Sequence, residues 1–133
     1  MMSPFLDIEK IGYFIHFCDQ GKIEENIKSM HNNGFNVYVE NVDDIHDQIS
    51  LIDKILKSGN FPKDFGRNWD ALIDALCDIE SFNAGLDHCF IMKGSSVAWK
   101  KSPQIMGALV EAWQILSLTA KKYDLSIHLV MVL

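Results

Sequence analysis

The stretch "DFGRNWDALIDALCDIE", residues 64–80, places Asp70, Asp74 and Asp78 four residues apart. On a helix that interval stacks the three carboxylates in one column, and each like-charged pair opposes the helix by about 0.2–0.5 kcal/mol. Three kinds of chemistry fit such a column. Paired aspartates can hold Mg2+ for phosphoryl or prenyl chemistry, they can meet a basic partner, or they can simply form a solvated helix face. An enzyme using Asp70 and Asp74 with Mg2+ ranks last, because it needs further oxygen ligands or a phosphate pocket. The chain has neither a glycine-rich phosphate loop nor a second acidic motif. Taken alone, the column reads best as solvated, which is what most charge runs are.

The remaining reactive residue types give no stronger lead. His16, His31, His46, His88 and His128 show no HxxxH or HExxH spacing, so no metal site is expected. His16 and His128 fall in apolar runs and are expected to be core or edge residues. Cys18, Cys77 and Cys89 are odd in number and widely spaced, which predicts reduced thiols. No serine or cysteine sits in a nucleophile elbow. No catalytic residue and no cofactor are therefore assigned, and enzyme activity is not indicated.

Charge gives a sharper picture once it is located. From Asn36 to Asp87 eleven acids face four bases, a local balance of −7, whereas the rest of the chain stands at +1. An acidic middle third argues against direct contact with nucleic acid, and for a basic partner or simple solubility. At 133 residues and 48% hydrophobic the chain can bury a core, and one domain over 1–133 is the expectation. The longest uncharged apolar stretch, "LSIHLVMVL", is too short to span a bilayer, and "MMSPFLDIEK" lacks the basic start and apolar stretch of a leader. The expected location is cytoplasmic, with no membrane partner.

The elements that must position the aspartates alternate in type. "IGYFIHFCD" (11–19) reads as a strand and "KIEENIKSMHNN" as a helix stopped by Gly34, followed by a strand at "FNVYVENV" (35–42). Asp43 or Asp44 can cap a helix carrying Ile45, Ile49, Ile52, Ile55 and Leu56, which "SGNFP" (58–62) breaks. The loop "PKDFGR" then leads to Asn68, a good N-cap that puts Asp70 in the first turn, where the helix dipole favours a carboxylate. Trp69, Leu72, Ile73, Leu76 and Ile79 form a broad apolar side beside the aspartates. "DHCFIMKG" (87–94) reads as a third strand and "SSVAWKKSP" as a short helix. A long helix runs from Pro103 to about Lys122, with Ile105, Leu109, Ala112, Trp113, Leu116 and Ala120 as its stripe, and the last strand is "LSIHLVMVL". Strands separated by helices imply an α/β fold with a largely parallel sheet.

"FPKDFGRNWDALIDAL" (61–76) resembles the signature of the barstar family, intracellular inhibitors of secreted bacterial ribonucleases such as barnase. The residues that carry it are Pro62, Phe65, Gly66, Asn68, Asp70, Ala71, Leu72 and Asp74. The resemblance extends through "NVYVENVDDIHDQISLIDKIL", "CFIMKG" and "YDLSIHLV", covering about 36–133. It implies the family's three-stranded parallel sheet with helices packed on it, extended by an N-terminal strand–helix unit over 1–35. It also implies an inhibitor or immunity protein that blocks a ribonuclease toxin as a 1:1 complex, its carboxylates standing in for RNA phosphates in a basic cleft. Asp74 would enter the phosphate pocket and Asp70 would pair with basic residues beside it. Around them Asp64, Phe65, Gly66, Arg67, Asn68, Ile73 and Asp78 complete the expected partner-binding set.

Several positions carry two readings. Phe65 is either an anchor on the partner or a staple under the loop, the staple being favoured. Asp78, one turn beyond the motif, is a contact or only solvated. Asp64, Arg67 and Ile73 depart from the family pattern, and a gap-free reading puts Ser117 and Lys121 where the inhibitor has acids on its closing helix. Those changes point to a different cognate toxin. The alternative function is a barstar-fold binding or regulatory domain without a nuclease target.

Overall fold

The structure is a computed structural model that describes the backbone of residues 9–11 and all of residues 14–133. Five strands, β1 (Glu9–Ile11), β2 (Ile15–Cys18), β3 (Asn36–Asn41), β4 (Asp87–Lys93) and β5 (Ser126–Val132), form one sheet in the order β1-β2-β5-β4-β3. The helices are α1 (Ile23–Asn32), α2 (Gln48–Ser58), α3 (Trp69–Cys77), α4 (Ser95–Lys101) and α5 (Pro103–Ala120). β2, β5, β4 and β3 run parallel, and β1 pairs antiparallel with β2. The α/β expectation holds, and so does the family's parallel β3-β4-β5 core.

The strand order explains which helix covers which face. From β2 the chain crosses the sheet to β3 on its far side, then steps back through β4 to β5. Crossovers of one hand that reverse direction must change face. α1, on the outward crossing, buries Ile23 and Met30 with Cys18, Cys89, Ile91, Val130 and Val132 on one face. The later helices bury Ile52, Leu56, Leu72, Leu76, Leu109, Trp113 and Leu116 with Tyr38, Phe90, Met92, Leu129 and Met131 on the other. Because both faces are covered, β4 and β5 are almost wholly buried, as their unbroken apolar sequences require.

Several buried polar side chains in the core are paired. Trp113 donates its indole N–H to the Ile127 carbonyl at 2.9 Å. The Tyr38 hydroxyl meets His88 Nδ1 at 2.9 Å, while His88 Nε2 meets the Gly85 carbonyl at 2.8 Å. The second contact requires the proton on Nε2, so Tyr38 is the donor in the first. Burial lowers the His88 pKa and pushes that of Tyr38 up to about 12. His16 and His128 are also buried and hydrogen-bonded to one another at 2.8 Å, as expected of core histidines. All three cysteines are free.

Three local expectations are corrected. The run 11–19, read as one strand, belongs to two: Ile11 ends β1, Phe14 turns with φ 52°, and β2 begins at Ile15. The N-terminal unit is therefore strand, strand, helix; residues 1–8 and 12–13 of the expected extension lie outside the described residues. α2 is capped not by Asp43 or Asp44 but by Asp47, whose carboxylate accepts from the Ser50 N–H at 2.7 Å in a capping box. Ile45 is buried before the helix starts, and Ile49 is 57% exposed instead of joining the stripe. The connection leaving β3 is tight against Gly94 (φ 78°), where a Cβ would lie 2.8 Å from Asn41 Oδ1 and 2.9 Å from the Asp43 Cβ. Only glycine suits both that backbone and that approach.

Candidate functional site

The loop 59–68 is held at three points before α3 begins. Phe61, Phe65 and Phe82 pack edge to face or tilted, with ring centroids 5.1 to 6.0 Å apart. Asn83 Nδ2 donates to the Gly59 carbonyl at 2.7 Å. Arg67 reaches back to α2, placing Nε and Nη2 each 3.1 Å from Asp53 Oδ1 while Nη1 donates to the Phe65 carbonyl. Lys57 joins the same carboxylate at 2.8 Å from its other oxygen. The Lys57 hydrogen bond, then that of Arg67, hold the Asp53 carboxyl below the usual carboxylate range against the opposing effect of partial burial.

This arrangement gives two residues of the expected partner-binding set contacts within the chain. Phe65 is half-buried and serves as the staple of the loop. Arg67 does not extend toward solvent from the acidic side; its guanidinium binds α2 to the loop. Gly66 lets that loop lie close to the first turn of α3, since a Cβ there would sit 3.3 Å from Ala71 Cβ.

α3 then starts as the sequence predicts. Asn68 accepts from the Ala71 N–H at 2.8 Å, and Asp70 occupies the first turn. Leu72, Ala75 and Leu76 are buried, which turns Asp70, Asp74 and Asp78 outward and leaves Trp69 and Ile73 at the margin of the core. Asp64, Asp70 and Asp74 form no ion pair or side-chain hydrogen bond among the described residues. Asp78 ends the helix and accepts from the Ser81 hydroxyl at 2.7 Å.

Packing of α3 against α5 brings the aspartates beside residues far away in sequence. Asp70 and Ile73 share a depression of about 210 Å3 with Trp69, Ala108, Glu111, Ala112 and Ile115. Asp74 and Asp78 line a second, open depression of about 460 Å3 with Cys77, Glu80, Thr119 and Tyr123. Burial, with the negative charge of Asp74 adding to it, raises the Cys77 pKa and keeps it a thiol. Glu111, Glu80, Ile115 and Tyr123 were not singled out from sequence. Ser117, which the gap-free reading puts where the inhibitor has an acid on its closing helix, is buried and donates to the Trp113 carbonyl at 2.7 Å.

What this surface offers is an exposed row of carboxylates on one side of a capped helix. Among the described residues no group of three or more His, Cys, Asp or Glu side chains is arranged to hold a metal ion. No helix among them is long and apolar enough to cross a membrane. A family model described as Barstar (barnase inhibitor) matches residues 35–131, from the start of β3 nearly to the end of β5. None of the curated proteins compared with the chain matches it.

Proposed function

The chain belongs to the barstar family, and from that premise we propose that it is an immunity protein. It binds a basic ribonuclease toxin one to one in the cytoplasm and blocks its active site with α3. The observation that carries this reading is the pair Asp70 and Asp74, outward on a capped helix and without an internal cation, when Asp53 on the neighbouring α2 holds both Lys57 and Arg67.

A ribonuclease cleft must present Arg, Lys or His to phosphates, and a carboxylate on a preorganised helix can occupy the same positions. Asp74 enters the phosphate subsite and Asp70 pairs with the cations beside it. Asp64 and Asp78 extend the negative field at either end, and Ile73 lies against the partner between the two main carboxylates. Repulsion within the column of the free helix is relieved when each carboxylate meets a fixed cation. Truncating one side of such a pair is severe because the other charge is left buried alone. Strong steering and charge coupling are established properties of the family's own pair, barnase and barstar.

Phe65, Gly66, Arg67 and Asn68 act differently from the aspartates. They set where α3 begins and hold the loop at the rim of the contact. The protein therefore acts by stoichiometric binding and not by catalysis.

The test is rescue from toxicity. The chain, wild type or Asp70→Ala/Asp74→Ala, is co-expressed with the ribonuclease domain encoded beside it and, separately, with barnase. Growth and RNA integrity are then followed. Protection by wild type and not by the folded double variant is expected for at least one of the two enzymes. A wild type that protects against neither leaves the binding or regulatory domain as the better reading.

A further inference from the structure

Beside the acidic side of α3, the outward side of α5 exposes two large apolar residues, Ile115 at 51% and Leu118 at 53%, and Tyr123 follows the helix at 59%. A spacing of three places Ile115 and Leu118 next to each other, with Glu111 one turn earlier. Glu111 and Ile115 line the same depression as Asp70, and Thr119 and Tyr123 line that of Asp74. Ile115 and Tyr123 thus each share a depression with one of the two aspartates, and Leu118 is exposed beside Ile115 on the same helix. A body large enough to cover Asp70 and Asp74 also reaches Ile115 and Tyr123.

We infer that the ribonuclease partner carries an apolar ridge beside its basic cleft, and that this ridge seats on Ile115, Leu118 and Tyr123. The inference rests on the reading of Asp70 and Asp74 given above and adds what selects among basic ribonucleases. Exposed charges act at range and mainly govern encounter, whereas contacts made only when the surfaces touch, buried ion pairs and apolar contacts alike, mainly govern dissociation. Any cationic nuclease is attracted by α3, but only one with a matching ridge stays. Lys121 and Lys122 close the stripe at its C-terminal end, so the partner's cations belong over Glu111 and α3 and its apolar ridge between them and these lysines.

A second copy of the chain fits this stripe poorly. Parallel two-fold pairing through α5 sets Glu111 against Glu111 and Lys122 against Lys122. Antiparallel pairing sets Glu111 against Lys122, but it also brings both α3 helices to the same flank, three aspartates beside three, in a chain already at −6. A basic partner meets no such repulsion.

The test measures association and dissociation with whichever ribonuclease the wild type inhibits. It compares Ile115→Asn/Leu118→Asn with Asp70→Ala/Asp74→Ala, after thermal melts confirm that both fold. The apolar pair should keep the wild-type association rate and its salt dependence while dissociation speeds up about tenfold or more. Ile115→Leu/Leu118→Met should restore slow dissociation. Unchanged dissociation in the folded apolar variant overturns this inference and leaves the role of α3 standing. Unchanged binding by the aspartate variant sinks the α3 reading itself, and a wild type that binds neither ribonuclease sinks both. A wild type that sediments as a dimer split by the apolar substitutions assigns the stripe to a second copy and overturns the proposal.

Discussion

α2 and α3 follow one another in the chain and both carry aspartates toward water, yet their surroundings are opposite. On the α2 side, Asp53 binds Lys57 at 2.8 Å and Arg67 at 3.1 Å, Asp47 caps the helix through Ser50, and Asp44 meets Lys54 at 3.2 Å. On α3, Asp70 and Asp74 have no such partner among the described residues. All of these acids lie in the middle third whose excess charge stood out in the sequence. Negative charge as such therefore does not separate the two helices. What separates α3 from α2 is carboxylate charge that the fold leaves without an internal cation.

The widest separation between the two regions should appear in single substitutions. Asp74→Ala is expected to weaken toxin binding by about 2–5 kcal/mol, and Asp70→Ala/Asp74→Ala by more. Stability of the free protein should stay level or rise by about 0.3 kcal/mol as repulsion in the column is relieved. Asp53→Ala should do the reverse, lowering the melting temperature while leaving most of the affinity. Calorimetric titration and thermal melts on the same three proteins check this. An Asp53→Ala loss of affinity matching that of Asp74→Ala would erase the distinction.

Next in size are the two caps. Asn68→Ala should cost about 1 kcal/mol of stability and also weaken binding, because it frays the turn that carries Asp70. Asp47→Ala, which opens the capping box of α2, should lower the melting temperature without touching affinity. Equal effects on affinity would mean that helix order anywhere in the middle third matters, not the placement of α3.

How far these contrasts were visible beforehand depends on distance along the chain. α3, its Asn68 cap and the outward aspartates were legible because a cap, a periodic apolar side and a charge column are all local patterns. The same locality failed at α2. Ile45 fits the helical spacing, but it anchors the connection from β3, where the Val42 N–H bonds the Lys93 carbonyl, so the helix waits for Asp47. It failed too at residues 11–18, where an unbroken apolar run hides the turn at Phe14. Glu111 was invisible for another reason: only the packing of α3 on α5 brings it beside Asp70. The partnership of Arg67 with Asp53 likewise spans a loop, and no local pattern encodes it.

Acid sharpens the comparison further. The folded-state pKa of Asp53 lies below its ordinary value, so its contribution is fully present above that value and is lost as pH falls through the lowered one. The His88 pKa is also depressed, so the fold favours neutral imidazole, and this stability too fades as pH drops below the ordinary histidine range. Arg67→Gln should destabilise by about 0.5–1 kcal/mol at neutral pH and make the acid limb of the melting curve against pH shallower, Lys57 and His88 keeping the rest. Asp70→Ala/Asp74→Ala should leave that limb in place. A limb unchanged by Arg67→Gln and made shallower in the aspartate variant would reverse the assignment of roles.

Asp78 offers the smallest effect and the finest test, because it belongs to neither class. It lines the same depression as Asp74, yet it accepts from the Ser81 hydroxyl and sits at the C-terminal end of α3, where the helix dipole disfavours negative charge. Asp78→Asn keeps an acceptor for Ser81 and removes that unfavourable charge, so stability should rise by about 0.3 kcal/mol. If contact follows uncompensated charge, the substitution only thins the field around α3. Association should then slow by less than about twofold at low salt, with dissociation unchanged. Dissociation that speeds up as it does for Asp74→Ala would put Asp78 in the contact, and position along the helix would then define the interface better than the absence of an internal partner.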